Sequence, residues 1–318
     1  MEQVVGGTAT ANFKITDREG RRWFAKVYRD HGACEQERRA VELARFAHTD
    51  QVPVPTVRRT IDGDLVENGR LPMSLWEYVE GAETAEGGLV GARWPSVGTV
   101  LGHLHRRLAE HPAAAPRQRP GAGVCALPRA RARFDRLITE LAQRAHLSSF
   151  EVWVLEAARE RRALLGRLAQ LVVRLPTLTE QIVHGDLAAP NLMLRGDRVA
   201  AVIDFQPPRP RFAAWEIARI ALDPRTVVQG DEWLTGLPRL IAVYRDAHPA
   251  ATAEDLLSTV AVGCAYTLAS AYPLTKVLEG TGELDDTLQT YARARHQAGL
   301  TLLNRLDEAR EAVHDGLR

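Results

Sequence analysis

Apolar and polar residues alternate early in the chain in the way that is typical of paired strands. Residues 13–16 alternate, the polar turn 17–20 follows, and Arg22–Tyr28 is an apolar run that contains Lys26. This pattern predicts two antiparallel strands joined by a tight turn. Residues 33–48 then show an apolar stripe among Glu and Arg, which predicts an amphipathic helix. The prolines within residues 52–55 end that helix.

Strand patterns continue to residue 80, and helical spacing dominates after it. Residues 65–66 and 72–80 are predicted as strands. Near the middle of the chain, the apolar runs 191–194 and 199–205 flank a polar turn and predict a β-hairpin. The predicted helices of this second part cover residues 97–108, 134–145, 151–173, 213–220, 233–244, 253–272 and 284–313.

The hairpin follows a loop in which a histidine, an aspartate and an asparagine have an informative spacing. His184, Asp186 and Asn191 match H-x-D-x-x-x-x-N, and Asp204 ends the second apolar run of the hairpin. In a kinase catalytic loop with this spacing, the Asp orients the acceptor hydroxyl and the Asn binds magnesium. The hairpin brings Asn191 and Asp204 to one edge of a small sheet. We therefore predict Asp186 as the catalytic residue and Asn191 and Asp204 as ligands of Mg²⁺, which prefers hard oxygen donors.

With this H-G-D loop, the chain resembles the aminoglycoside phosphotransferase and choline kinase family, and the resemblance spans nearly the whole chain. It implies an α+β, bilobal protein-kinase-like fold. Residues 1–80 would form a small antiparallel-sheet lobe that binds the nucleotide and ends in a hinge strand. Residues 81–318 would form a larger, mainly helical lobe for catalysis and acceptor binding. The implied cofactors are ATP, with GTP left open, and Mg²⁺.

The resemblance also implies a set of nucleotide-binding residues. The glycine loop after the first strand lets the backbone approach phosphate oxygens. Lys26, inside an apolar strand, would meet the phosphates and pair with Glu37, with Glu42 as the alternative. Backbone groups near the hinge would meet the adenine edge. The residues assigned to the nucleotide are Gly6, Gly7, Thr8, Lys26, Glu37, Glu77 and Val79.

Two further residues are predicted to support the catalytic loop, namely His184 and Glu216. Glu216 lies where the family usually has an aspartate that braces the loop, and its side chain is longer. His105 is interpreted as a packing residue. Residues 206–210 replace the glycine that makes the kinase D-F-G turn mobile, and no Ala-Pro-Glu motif follows. Regulation by activation-loop phosphorylation is therefore not expected.

Composition narrows the class of protein. The chain has 318 residues, 45% of them hydrophobic, and a formal net charge of +1. The length allows two lobes, and the charge provides no general attraction to nucleic acid or anionic membrane. Three separated cysteines argue against a disulfide framework. We see no signal-peptide pattern, residues 260–274 are too short to span a bilayer, and we expect a cytoplasmic protein.

The acceptor is the least determined part of the prediction. The leading hypothesis is ATP-dependent phosphorylation of a hydroxyl on a small molecule such as an aminoglycoside, another antibiotic or a metabolite. A polycationic acceptor needs an acidic cleft, which four carboxylates could provide, namely those of Glu279, Glu283, Asp285 and Asp286. A solvated helix end explains these residues equally well.

Two alternatives remain open. One is a kinase for Ser or Thr of a ribosomally made precursor peptide, as in class V lanthipeptide synthesis. Residues 111–133, rich in Pro and Ala, are predicted to form a flexible basic insertion that could bind an acidic leader through Arg117, Arg119, Arg129, Arg131 and Arg133. The other is an inactive nucleotide-binding pseudokinase, which the filled catalytic and metal positions disfavour. The oligomeric state is not predicted.

Overall fold

The computed structural model describes residues 2–4, 10–28, 34–69, 71–279 and 284–318, and the fold is α+β and bilobal. In the first lobe, antiparallel strands form one sheet in the order β1-β2-β3-β5-β4. The strands are β1 (Glu2–Val4), β2 (Thr10–Thr16), β3 (Arg22–Tyr28), β4 (Val57–Arg58) and β5 (Met73–Glu77). Helix α1 (Cys34–Ala47) buries Val41 against Tyr28 and Val66 on this sheet.

Two predictions for this lobe need comment. The predicted strand Arg22–Tyr28 is confirmed with the same bounds, and a turn with Gly20 at φ +81° precedes it. The prediction of a strand at residues 65–66 is wrong. Leu65 and Val66 are buried in a bend, and only the adjoining Glu67 forms an isolated bridge to Met73. Their apolar character reflects packing against α1 and not strand pairing.

The second lobe is mainly helical and contains most of the apolar core. Its helices are α2 (Arg93–Leu108), α3 (Leu127–Ala142), α4 (Ser149–Val173), α5 (Ala213–Ala221), α6 (Pro224–Val227), α7 (Glu232–Ala247), α8 (Ala253–Ala269), α9 (Asp286–Asn304) and α10 (Leu306–Gly316). A capping box of Ser148 and Glu151 starts α4. The pattern predicted as one helix over 284–313 divides at Arg305, whose guanidinium binds Asp231.

Close packing of α2 against α7 positions two buried residues that matter for the site. A Cβ on Gly98 would lie 2.4 Å from the Leu240 carbonyl oxygen, and one on Gly102 would lie 2.7 Å from that of Tyr244. Only glycine permits this approach of the two backbones. The approach lets His105 of α2 bond to the Tyr244 hydroxyl across the interface.

Two three-stranded sheets join the helices. The first has the order β10-β9-β6 and the second β11-β8-β7. Their strands are β6 (Glu83–Thr84), β7 (Arg117–Pro120), β8 (Thr177–Ile182), β9 (Leu192–Arg195), β10 (Arg198–Val202) and β11 (Pro210–Phe212). The predicted hairpin is β9-β10.

The interpretation of residues 111–133 as a loop-like insertion is corrected by this second sheet. Arg117–Pro120 pairs with Thr177–Ile182, and Arg117 forms an ion pair with Glu180 at 2.7 Å. Helix α3 already begins at Leu127, with Pro128 in its first turn. Proline is tolerated at both places, at a sheet edge and at a helix start. The composition therefore resembled that of a loop although half the segment is regular structure.

The most apolar helical stretch is Ala253–Leu278, which has the length and composition to cross a membrane, yet 72% of its most apolar window is buried inside the protein. Helix α8 ends within it at Ala269, ahead of Pro273. This stretch is a core element of the second lobe. Cys34, Cys125 and Cys264 form no disulfide among the described residues.

Candidate active site

The loop between β8 and β9 contains His184, Asp186 and Asn191 and is fixed through its backbone. Gly185 has φ +91°, and a Cβ there would lie 2.8 Å from the Cβ of Gln206. The loop needs glycine at this position because an L side chain rarely adopts this φ and would meet the neighbouring segment. The Gln206 amide donates to the His184 carbonyl at 3.0 Å, which ties the loop to the residues after Asp204.

Glu216 of α5 contacts the loop through two backbone amides. Its Oε2 accepts from the His184 amide and its Oε1 from the Gly185 amide, both at 2.8 Å. The buried His105 contacts Oε2 at 3.1 Å and the Tyr244 hydroxyl at 2.8 Å. Burial opposes the charge of Glu216, but these hydrogen bonds and the nearby imidazoles lower its pKa below the ordinary value. The longer side chain therefore fits the bracing position.

His184 is a buried, neutral part of the same loop. Burial lowers the pKa of its imidazole, so the ring stays uncharged. Its Nδ1 accepts from the Asp186 amide at 3.2 Å, which leaves Nε2–H to donate to the Ile203 carbonyl at 2.8 Å. The ring also packs on Phe205, with centroids 4.2 Å apart. His184 thus holds the Asp186 backbone against the segment that carries Asp204.

Asp186 faces the cleft and is bound by a residue that the sequence patterns did not identify. The Arg219 guanidinium of α5 pairs with Oδ1 of Asp186, and the Asn191 amide nitrogen lies 3.4 Å from Oδ2. Burial raises the pKa of Asp186 above its ordinary value, although the positive charge of Arg219 opposes the shift. The carboxylate therefore has one oxygen held by Arg219 and the other directed to the cleft beside Asn191.

Asn191 and Asp204 are brought together by the hairpin as predicted from the sequence. The Ile203 amide donates to the Asn191 carbonyl at 3.0 Å, so the two segments are adjacent immediately before Asp204. Asp204 has φ +65°, a left-handed conformation that is uncommon for residues other than glycine, Asn and Asp. Its carboxylate is about half exposed, at 50%, and faces the first lobe.

Lys26 of β3 reaches across the cleft and pairs with Asp204. Glu37 lies in the same cavity as both, whereas Glu35 and Glu42 are exposed. Among the described residues the ammonium has its ion pair with Asp204 and not with Glu37. Burial raises the pKa of Glu37, and the positive charge of Lys26 opposes this shift.

The cavity between the lobes has a volume of about 280 Å³. One wall is the strand segment with Glu77 and Val79, and the opposite wall includes Met193 and Phe205. The Glu77 carboxylate accepts from the Thr56 hydroxyl at 2.8 Å. This bond already occupies the carboxylate, so a ligand contact by the Glu77 side chain is not expected. Gly6, Gly7 and Thr8 lie outside the described residues. The other predicted residues of the first lobe, Lys26, Glu37, Glu77 and Val79, all line this cavity.

Comparison with known proteins decides the family. The sequence model described as "Phosphotransferase enzyme family" matches residues 1–254. The chain belongs to this phosphotransferase family. Its members transfer a phosphoryl group, and the chain is accordingly a phosphotransferase that acts on an alcohol group, as predicted.

Individual members of the phosphotransferase family resemble the chain at lower identity. Homoserine kinase of Pseudomonas aeruginosa is 26% identical over 274 residues, which cover 82% of this chain and 77% of that protein. The fold is similar to spectinomycin phosphotransferase in complex with ADP and spectinomycin, with TM-score 0.66, 13% identity and coverage of 95% and 92% of the two chains. Amicoumacin kinase in complex with AMP-PNP and Ca²⁺ gives TM-score 0.56 at 13% identity, covering 94% and 88%.

Two functional candidates in this phosphotransferase were missed by pattern reasoning. Helix α5 is apolar except for Glu216 and Arg219, which are three residues apart and therefore on one face. That spacing was the available signal for Arg219. Asp223, which accepts from the Ala189 amide at 3.3 Å, had no comparable signal because its partner lies 34 residues away in the chain.

Proposed function

We propose that the protein transfers the γ-phosphoryl group of ATP to a hydroxyl of a small molecule, with Mg²⁺. The observation that carries this proposal is a chain of contacts beside the inter-lobe cavity. Lys26 and Asp204 line the cavity and pair with each other. The Asn191 carbonyl accepts from the amide of Ile203, which also lines the cavity, and the Asn191 amide nitrogen lies beside the Asp186 carboxylate. Phosphoryl transfer needs positioning and charge neutralisation more than covalent chemistry by the protein. A carboxylate, an amide oxygen and an ammonium at one place supply both.

The cavity suits a nucleotide. Its apolar side chains can sandwich a purine, and the Val79 amide donates no hydrogen bond within the described part of the chain, so it can meet an adenine edge. Lys26 lies at the opposite end, where the phosphates would be. Two structural relatives are complexes with ADP and AMP-PNP, which supports nucleotide use by this protein. A purine contact of this kind leaves GTP as an alternative donor.

The residues beside the cavity fit Mg²⁺. Asn191 donates its amide nitrogen to the Asp186 carbonyl at 2.9 Å, which leaves its oxygen available as a ligand. Asp204 provides a half-exposed carboxylate. Within the described ranges, no group of three or more His, Cys, Asp or Glu side chains forms a closed metal site. One carboxylate and one amide suit an ion that is also bound by phosphates and water. When bound, Mg²⁺ would neutralise developing charge on the phosphates.

Asp186 would orient the acceptor hydroxyl and accept its proton. Arg219 holds Oδ1, so the hydroxyl is expected to meet Oδ2. Burial raises the pKa of Asp186 and makes its carboxylate a better base than an exposed one. Glu216 and His184 fix the backbone on either side, so the carboxylate is positioned before the acceptor arrives.

A small acceptor is favoured over a peptide. The relatives named above act on homoserine, spectinomycin and amicoumacin by their names, all of which are small molecules. Of the arginines considered for leader binding, Arg117 is already paired with Glu180. The peptide hypothesis stays a prediction without a specific contact in its favour.

The proposal is tested by ADP release across hydroxylated small molecules, with MgATP as donor. Wild type should release ADP in an acceptor-dependent way, and Asp186→Asn should not. Melting with and without MgATP measures nucleotide binding separately. Absence of MgATP stabilisation in the wild type would overturn the nucleotide part of the proposal.

A further inference from the structure

Arg219 is the first member of an arginine–tyrosine cluster next to Asp186. Its Nη1 donates to the Tyr266 hydroxyl of α8 at 2.6 Å, while its Nη2 pairs with Asp186. The Arg295 guanidinium of α9 packs over the Tyr266 ring, 5.1 Å from the centroid, and donates to the Tyr291 hydroxyl at 3.1 Å. We call Arg219, Tyr266, Tyr291 and Arg295 the acceptor wall. It connects the catalytic carboxylate to a second, buried guanidinium.

Arg295 has unused hydrogen-bond donors despite its burial. Its side chain is only 4% exposed, and neither Nε nor Nη2 has a hydrogen-bond partner among the residues that the structure describes. A buried charge is costly when its donors are not bonded. Such open donors in a folded protein point to a function, because the great majority of buried polar atoms are hydrogen-bonded.

A second buried arginine adds to the positive charge behind the acceptor wall. Arg161 is fully buried and donates from Nη1 to the carbonyls of Thr267 and Ser270. In the described part of the chain, its Nη2 has no hydrogen-bond partner. Burial, followed by the charge of Arg295, lowers the pKa of Arg161 to about 9. The two guanidiniums therefore repel each other, and an anion placed beside Arg295 would relieve this repulsion.

The other groups around the acceptor wall agree with a positive site. Burial raises the pKa of Tyr266, but the charges of Arg295 and Arg219 outweigh it and lower the pKa below the ordinary value. Two of the four carboxylates considered for a polycation have local roles: Glu279 is paired with Lys276, and Asp285 caps α9 by accepting from the Leu288 amide at 2.8 Å. Asp286 is exposed in the first turn of α9. Glu283 lies outside the described residues.

We propose that the acceptor wall binds the anionic oxygens of the acceptor, so that the substrate is a small hydroxy compound with a carboxylate or phosphate group and not a polycation. This inference rests on the proposed function. The planar fork of Arg295 presents Nε and Nη2 on one side, which matches two oxygens of such a group. The anionic end would be held at Arg295 and the hydroxyl directed to Asp186, with Arg219 between them.

The reaction then balances simply. The acceptor oxygen forms a bond to the γ-phosphorus, the bond from that phosphorus to the bridging oxygen of ADP breaks, and the hydroxyl proton passes to Asp186 and on to solvent. The products are ADP and the phosphate ester. The anionic group held at Arg295 is unchanged.

The test compares each acceptor that has a carboxylate or phosphate group with a counterpart that lacks it. Homoserine is compared with its amide, and glycerol 3-phosphate with glycerol, while ethanolamine and spectinomycin represent cations. ADP release is measured with MgATP. We expect kcat/KM for an anionic acceptor to exceed that for its neutral counterpart by about tenfold or more. Arg295→Met should remove this preference by raising KM, Arg295→Lys should retain part of it, and the exposed Arg293→Met serves as the matched control.

Binding without turnover provides the second measurement. With saturating MgADP present, inorganic phosphate or homoserine should raise the melting temperature of the wild type and of Arg293→Met but not of Arg295→Met. Equal or better turnover of neutral or cationic acceptors, or anion stabilisation that survives Arg295→Met, would overturn the inference. So would the absence of stabilisation by either probe. Loss of MgATP stabilisation would instead refute the proposed function, so the two failures are distinguishable.

Discussion

Glu216 and Arg295 are both buried charges of the helical lobe, and they differ in how completely they are hydrogen-bonded. The Glu216 carboxylate accepts from two loop amides and contacts His105. The Nε and Nη2 atoms of Arg295 bond to no residue within the described ranges. A satisfied buried charge can hold backbone in place, whereas open donors remain available to a ligand. The comparison separates the part of the site that is scaffold from the part that recognises the acceptor.

The largest expected effect comes from the residue that lies between these two regions. Asp186→Asn preserves shape but removes the base, so we expect turnover to fall by about a hundredfold or more. Nucleotide binding should persist because Lys26 and Asp204 are unchanged. ADP release with an identified acceptor measures turnover, and the melting temperature with MgATP measures nucleotide binding. Equal turnover by variant and wild type would remove Asp186 from the mechanism.

The metal prediction concerns the nucleotide side of Asp186. Asp204→Ala should abolish the magnesium-dependent increase in melting temperature caused by ATP, because ligand stabilisation follows affinity, about 2.7 kcal/mol at a hundredfold excess over Kd. Asn191→Ala should retain part of it. The exposed hairpin residue Asp197 provides the control, as Asp197→Ala. Undiminished magnesium dependence in Asp204→Ala would place the metal elsewhere.

A smaller effect is expected from weakening the brace. Glu216→Gln turns one accepting oxygen into an NH₂ group, so a loop amide loses its acceptor, and the free energy of unfolding should fall by about 1–3 kcal/mol. Urea denaturation measures this change. Glu232→Gln is the matched control, since that exposed carboxylate also accepts from a backbone amide, that of Gly91. Equal losses in the two variants would refute a special role for Glu216.

The smallest effect is a shift in pH dependence. Activity requires ionised Asp186, so it should fall as pH decreases through a pKa that burial raises above the ordinary value. Arg219 opposes that rise, so Arg219→Gln should raise the pKa further and move the acid limb of the kcat/KM profile to higher pH. Arg219→Lys should move it less. If the acid limb of the kcat/KM profile did not shift in Arg219→Gln, this result would contradict an electrostatic effect of Arg219 on Asp186.

Local patterns predicted the nucleotide side of the site better than the acceptor side. The loop spacing places Asp186 and Asn191 within a few residues of each other, and a single hairpin is enough to add Asp204. The apolar run Arg22–Tyr28 similarly predicted a strand that carries Lys26, and this strand is β3. These relations depend on residues that are near in sequence, so periodicity and turn chemistry reveal them.

The acceptor wall could not be predicted in the same way. Arg219, Tyr266 and Arg295 come from three helices, and their contact depends on how α5, α8 and α9 pack. The prediction of a flexible insertion at residues 111–133 was wrong for a related reason. The strand Arg117–Pro120 pairs with a strand that lies about sixty residues further along the chain. Tertiary packing decides such contacts, and one sequence contains no local sign of them.

Glu216 is proposed to be scaffold and Arg295 to bind the acceptor. The most direct test of this difference is the free energy of unfolding of Arg295→Met, measured without ligand and with a saturating anionic acceptor. Replacing a buried charge by an apolar side chain of similar size is often neutral or stabilising. The free energy of unfolding without ligand should therefore change little in Arg295→Met, because two donors of Arg295 are not hydrogen-bonded within the part of the chain that the structure describes. We therefore predict no loss of stability in urea without acceptor, and loss of the stabilisation that the acceptor gives the wild type. A loss of about 1–3 kcal/mol without acceptor, equal to that expected for Glu216→Gln, would contradict the account and make Arg295 a part of the scaffold.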